Sequence, residues 1–191
     1  MTFATQINSG ESFAEILSGA KRGANWAWAA IYRELAGSVT GYLTSRGAAD
    51  PEDICSETFL QVARGIGRFT GDWESFRSWV FVIAHRRLQD SRRARDRRPV
   101  TYPLDRVFFD EADPSRVDDQ AITALSTQAI WEMFEKLTDN QREVLALRII
   151  ADLSVAESAS VMGKRPGAVK ALQRRALASV RAELERRAVT Q

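Results

Sequence analysis

Residues 154–181 read SVAESASVMGKRPGAVKALQRRALASVR. Ser154 and Glu157 stand three apart, the spacing of a capping box that opens a helix. Gly163 follows Met162 where a left-handed residue ends a helix, and Pro166 sits where its missing N–H costs nothing to the next one. Val169, Leu172, Ala176, Val180 and Leu184 recur along one side of that second helix. A short capped helix, a tight turn and a longer basic helix have the layout of a helix-turn-helix. Lys170, Gln173, Arg174 and Arg175 then lie on the other side of the second helix, with Arg165 at the turn. Such a helix fits the major groove of B-DNA, its N-terminal half at base edges and Arg165 at a backbone phosphate. The same pattern also describes an amphipathic hairpin with a solvated basic face.

Upstream, the period stays helical and no hairpin signal interrupts it. Thr138 and Gln141 form another capping box, followed by Val144, Leu145, Leu147 and Ile149 and preceded by Ile130, Met133, Phe134 and Leu137. Residues 99–126 hold Pro103, Pro114 and six acidic side chains, and read as a linker. Before them, Asn25 is the expected cap of a helix over 26–46, closed at Gly47. Asp50 caps a helix whose first residue is Pro51 and whose apolar side is Ile54, Thr58, Phe59, Val62 and Ile66. Residues 68–75 (RFTGDWES) read as a loop, Ser75 as the cap of a third long helix, and Pro99 as its end. The expectation is an all-α chain of two small helical domains, 1–98 and 127–191, joined by 99–126.

The charge balance of the 191 residues is only +2, and it hides segregation. The first block carries net +3, the linker −4 and the second block +3. Residues 86–98 hold seven Arg and two Asp, and 163–191 hold eight basic and two acidic side chains. One Cys (Cys55) and one His (His85) exclude an internal disulfide and a His/Cys zinc cluster within the chain, and leave little for a Ser–His–Asp or Cys–His enzyme. Gly163-Lys164-Arg165 lacks the glycine spacing of a phosphate loop. The longest apolar stretch mid-chain, Trp79 to Ala84, is far short of the ~20 residues of a membrane span, and the N-terminus lacks the pattern of a signal peptide. The cytoplasm is the expected compartment, with no cofactor, no metal and no small-molecule substrate.

Phe69, Trp73, Phe76, Trp79 and Phe81 cluster just ahead of the arginine run. Rings beside positive charge suit unstacked single-stranded bases, with the rings stacking and Arg holding the backbone. The competing reading puts the rings in a helical core; it suits Trp79, whereas Trp73, in the expected loop, suits contact. Asp50, Glu52, Asp53 and Glu57 gather at a helix start, where the dipole favours carboxylates. Capping explains Asp50 and Asp53, and leaves Glu57 for a basic partner. Cys55 reads as a small buried residue, and His85 as a neutral helix residue or a phosphate contact.

The stretch DPEDICSETFLQVARGIGRFTGDWESFRSWVFVIAHRRLQDSRRARDRR resembles region 2 of the sigma-70 family, in its short extracytoplasmic-function (ECF) branch, and LTDNQREVLALRIIADLSVAESASVMGKRPGAVKALQRRALASVRAEL resembles region 4. The resemblance implies a factor that guides RNA polymerase to promoters and is not itself an enzyme. Asp50, Glu52, Asp53, Glu57 and Phe59 would bind the core polymerase. Phe69, Trp73, Phe76, Arg77, Trp79, Arg86, Arg87, Arg92 and Arg93 would contact or help open the −10 element. Arg165, Lys170, Gln173, Arg174 and Arg175 would read the −35 element. Core RNA polymerase, promoter DNA and an anti-sigma factor are the implied partners. Ser56, Arg86 and Leu172 depart from residues common in the family (Gln, Asn and Arg). Two rival readings are a dimeric helix-turn-helix regulator of duplex DNA and a helical adaptor acting through protein contacts alone. The first needs neither the aromatic loop nor the acidic helix start, and the second has no use for two basic helix ends.

Overall fold

The computed structural model describes residues 12–96 and 136–189, and every regular element among them is helical. Helix α1 spans Phe13–Lys21, α2 Asn25–Ser45, α3 Pro51–Gly65 and α4 Trp73–Asp96. After the undescribed stretch come α5 (Asp139–Leu145), α6 (Val155–Met162) and α7 (Pro166–Val189). A 3-10 turn (Ile66–Arg68) extends α3, and a π-helical turn (Ala146–Ile150) extends α5. The expected linker 99–126, the end at Pro99 and the apolar positions Ile130, Met133 and Phe134 lie outside the described residues.

Helix α1 goes beyond the sequence expectation. Ser12 accepts from the Glu15 amide at 3.4 Å and Glu15 returns a carboxylate to the Ser12 amide at 2.8 Å, a full capping box. The turn leaving α1 also corrects the start of α2. Gly23, at φ 78°, reverses the chain, and the Ala24 amide bonds back to the Gly19 carbonyl at 3.0 Å. That turn makes Ala24 the N-cap, without a side-chain bond, and Asn25 becomes the first helical residue instead of the cap. Asp50 does cap α3, accepting from the Asp53 amide at 2.9 Å ahead of Pro51. Helix α4 starts earlier than expected: Asp72 accepts from the Ser75 amide at 2.9 Å and takes the capping role expected of Ser75. The expected loop 68–75 shrinks to 69–72, and Trp73 is helical.

Ile31, Leu35, Val39 and Leu43 of α2, Val62 of α3, and Phe76, Val80, Phe81, Ala84 and Leu88 of α4 are buried together. Each large apolar side chain contributes on the order of 1.5–3 kcal/mol by leaving water. In the second block, Thr138–Gln141 and Ser154–Glu157 both form complete capping boxes, as expected. Gly163 ends α6 in the left-handed region at φ 61°. Along α7, Val169 and Ala176 are buried, but Leu184 is exposed and Glu183 takes the inward place. Seven residues leave a helix only about 20° short of two full turns, so the position after Ala176 that faces the core is 183 and not 184.

The two blocks touch. Helix α4 packs on α6, and α2 packs on the π-helical turn, where a Cβ on Gly41 would lie 3.3 Å from Ile150 Cγ2.

Candidate nucleic-acid and protein interfaces

Arg165, in the turn before α7, and Lys170, Arg174 and Arg175 on it are exposed, and Gln173 is half-buried. Lys170, Arg174 and Leu177 follow at i, i+4 and i+7, forming one outward column. The turn that aims this column is closed by the Lys164 amide on the Ala159 carbonyl at 2.9 Å. Its entry is fixed by the Ser154 box, with the two bonds at 2.6 and 3.2 Å. Leu172, the departure from the family pattern, is half-buried against the core and not part of the column.

The aromatic residues form one cluster. Phe76 lies at its centre, fully buried. Phe69 stacks on Trp79 with centroids 5.2 Å apart, and Trp73 stacks on Phe76 at 6.1 Å. Phe13 of α1 meets both Trp73 and Phe76 at 5.5 Å. The Lys21 ammonium donates to the Phe69 carbonyl at 2.7 Å and ties α1 to the loop. Phe76 therefore offers no surface in this arrangement, while Phe69, Trp73 and Trp79 each keep part of a ring in solvent. Trp73, expected to project from a loop, is a packed residue of the first helical turn.

Of the expected −10 arginines, Arg86 is exposed. Arg93 is exposed with Asp90 at 3.4 Å. Arg87 reaches Gln61 at 3.1 Å and Glu57 at 3.8 Å. Arg92 donates to the Arg46 carbonyl, and burial followed by the nearby Arg46 charge pulls its pKa down. Arg77 turns to the other block and pairs with Asp152 at 3.4 Å.

The acidic helix start is exposed at Asp50, Glu52, Asp53 and Glu57, whereas Phe59 is buried. Phe59 supports Tyr32, with centroids 4.9 Å apart. Tyr32 is 50% exposed and Leu60 59%, so an apolar patch adjoins the carboxylates. Neither Tyr32 nor Leu60 is among the contact residues expected from the sequence. Leu60 breaks the apolar period of α3, which was the available signal.

A second set of residues lies between the blocks. Glu143 of α5 lies between the blocks with 7% of its side chain exposed. Its carboxylate is 2.7 Å from His85 Nδ1, and the Tyr42 hydroxyl donates to it at 3.3 Å. The Tyr42 oxygen is 3.1 Å from His85 Nδ1. Arg46, 2% exposed, donates to the Asp139 carbonyl at 2.8 Å and stands 3.8 Å from Glu143. Burial alone would raise the Glu143 pKa; His85, Arg46 and Tyr42 together hold it below the usual carboxylate range. Burial and the Glu143 charge push the Tyr42 phenol well above its ordinary value. His85, expected as a neutral helix residue or a phosphate contact, is a residue of helix α4 whose ring lies between the blocks, at Glu143 and Tyr42. Cys55 is buried as expected, and burial raises its thiol pKa.

Among the described residues no group of three or more His, Cys, Asp or Glu could hold a metal ion, and no helix is long and apolar enough to cross a membrane.

A helical bundle with aromatic and arginine residues along one helix, followed by a capped helix-turn-helix with a basic outward column, defines a two-module, all-helical helix-turn-helix protein. Family models agree in order and place: Sigma-70 region 2 matches residues 28–98, and Sigma-70, region 4 matches 127–180. The ECF RNA polymerase sigma factor BldN of Streptomyces coelicolor is 35% identical over 165 residues, covering 85% of this chain and 62% of BldN. ShbA of Streptomyces griseus, another ECF sigma factor, is 33% identical, covering 70% of this chain and 71% of ShbA. SigD of Mycobacterium tuberculosis is 30% identical and is covered to 65% of its length, so the chain spans just under two thirds of two of these relatives. Among solved structures, CnrH in complex with the cytosolic domain of CnrY aligns at TM-score 0.63 with 22% identity, covering 89% of this chain and 95% of that one. The sigma factor RpoE in complex with the anti-sigma factor NepR from Bartonella quintana aligns at 0.62 with 18% identity, covering 81% and 94%. These two share the fold. The chain belongs to the ECF RNA polymerase sigma factors of the sigma-70 family, which are initiation factors and not enzymes.

Proposed function

We propose that this chain binds core RNA polymerase and directs it to promoters, the 127–191 block reading the −35 element and the 1–98 block the −10 element. The observation that carries this reading is the pairing, in one chain and in order, of a region 2 bundle and a region 4 helix-turn-helix. Lys170, Arg174 and Arg175 take base edges, Gln173 lies beside them, and Arg165 takes a phosphate. Phe69, Trp73 and Trp79 present partial ring faces at the strand-opening edge, with Phe76 as their support. Arg77, Arg86, Arg87, Arg92 and Arg93 serve the −10 backbone, Arg77 only after leaving Asp152. Asp50, Glu52, Asp53 and Glu57, with Phe59 beneath Tyr32, form the surface for the polymerase. An anti-sigma factor is a further partner, as it is for the RpoE structure that shares this fold. The cytoplasm is the compartment this work requires.

Run-off transcription tests the reading. Purified core polymerase is supplied with a promoter library, with and without the chain. Discrete transcripts that appear only with the chain, from templates sharing spaced −35 and −10 motifs, are the expected result. A chain that binds duplex DNA yet adds no start site belongs with ordinary helix-turn-helix regulators.

A further inference from the structure

Beside the apolar approach of Gly41 to Ile150, the contact between the two blocks holds a set of groups that water can take back. Tyr42 and Arg46 come from α2, His85 and Arg92 from α4, and Asp139 and Glu143 from α5. A purely apolar seam would bind without fixing register. A buried carboxylate beside an imidazole, a phenol and a guanidinium accepts one geometry, because each group displaced from its partner while still buried loses its hydration for nothing. Once the blocks part, the same groups are rehydrated, so opening costs less than exposing a core of similar size. Arg77–Asp152 adds a second polar contact at the rim. Among the described residues the buried Nε atoms of Arg46 and Arg77 have no partner; the seam is held by its bonds to Glu143, Asp139 and Asp152 and not by complete polar satisfaction.

We propose that Glu143, clasped by His85, Tyr42 and Arg46, is a latch that holds the free chain closed, with the helix-turn-helix folded onto α4 and kept from working together with the first block. Elements centred about 25 base pairs apart are separated by roughly 80 Å of duplex at about 3.4 Å per pair. Two blocks in side-chain contact cannot serve both ends of that span on straight DNA. The 39 residues between Asp96 and Lys136 reach at most roughly 130 Å when fully extended, enough to allow separation. Closing also occupies Arg77, which the proposed function assigns to the −10 backbone. The latch geometry stands independently of that assignment; only its consequence for promoter use rests on it.

The test uses the full chain, free in solution. Dyes are placed on Glu34→Cys and Ala178→Cys, both exposed positions, while Cys55 stays buried. Single-molecule energy transfer counts open and closed molecules, small-angle scattering gives the radius of gyration, and far-UV circular dichroism follows helix content. Tyr42→Phe keeps the ring that packs edge-on against Phe81 at 5.6 Å and removes only the hydroxyl. Glu143→Gln keeps shape and removes charge. Each single variant is expected to raise the open-to-closed ratio about tenfold, the scale of a hydrogen bond to a charged group. The triple variant Tyr42→Phe, His85→Ala, Glu143→Gln is expected to be expanded, with helix content unchanged. A triple variant as compact as the parent chain overturns the latch, and so does expansion that appears only with loss of helix. Because no DNA or polymerase is present, failure of run-off transcription would sink the function and leave this result standing.

Discussion

Gly65 and Trp79 show how little slack one residue has in the first block. Trp79 lies flat on Phe69, and its far ring edge passes over Gly65, where an added Cβ would sit 2.9 Å from Cζ2. The ring cannot retreat without breaking that stack and its contact with Phe76 at 5.8 Å. Gly65→Ala is expected to cost about 1–3 kcal/mol as overpacking, read as a thermal midpoint several degrees lower. Gly37→Ala, in open space on α2, is the control and should gain about 0.5–1 kcal/mol. Equal and small effects at both sites would mean that Trp79 is loosely held. Single residues were also where the sequence spoke least clearly. His85 stands among arginines, and only the return of the chain at Glu143, 58 positions later, gives it a partner. No local pattern carries that pairing.

Elements were far more legible, because capping chemistry is local. Asp50–Pro51, Thr138–Gln141, Ser154–Glu157 and Gly163 each mark the boundary the structure has. Where the structure differs, the causes are equally local: the Ser12–Glu15 box opens a helix beyond the expected ones, Asp72 outcompetes Ser75, and the α1 turn overrides Asn25. The π-helical turn after α5 has no comparable signal. DNA recognition is proposed to rest on the basic column of α7 and the turn before it, with Arg165 at the turn and Arg174 in the column given different roles. Arg165→Ala should weaken all duplexes alike and flatten the log–log salt slope by about 0.9, one phosphate contact. Arg174→Ala should cost about 1–3 kcal/mol on the preferred −35 sequence and much less on scrambled DNA. A salt titration of both variants on both duplexes measures this. Equal loss on the two duplexes for Arg174→Ala would assign it to the backbone and shift base reading to Lys170, Gln173 or Arg175.

At the scale of the whole molecule, acid should separate the blocks before it melts the helices. Glu143 faces Tyr42, Arg46 and His85, with the Arg92 charge near, and its pKa is held below the usual carboxylate range by His85, Arg46 and Tyr42 against the effect of burial. A carboxylate depressed on folding contributes fully above its unfolded value, and that contribution is lost as pH falls through the folded one. Glu183, bound by Lys136, Arg187 and Arg186, is pulled down to about 2 and releases the end of α7 later. Scattering and circular dichroism followed from pH 5 to 2 should therefore show expansion first and loss of helix second. Glu143→Gln should flatten the early phase; an unchanged curve would assign that phase to other carboxylates. The first helix has a practical consequence for anyone cutting this gene into pieces. The match to the region 2 family model begins at residue 28, but Phe13 packs on Trp73 and Phe76, Ile16 and Ala20 are buried in the core, and Lys21 pins the loop through the Phe69 carbonyl. A chain started at 28 would display Trp73 and its neighbours as a bare apolar patch, a surface that invites self-association. Light scattering of purified 28–191 and 12–191 side by side should find the shorter chain aggregated and the longer one monodisperse, so the workable cut lies ahead of Ser12.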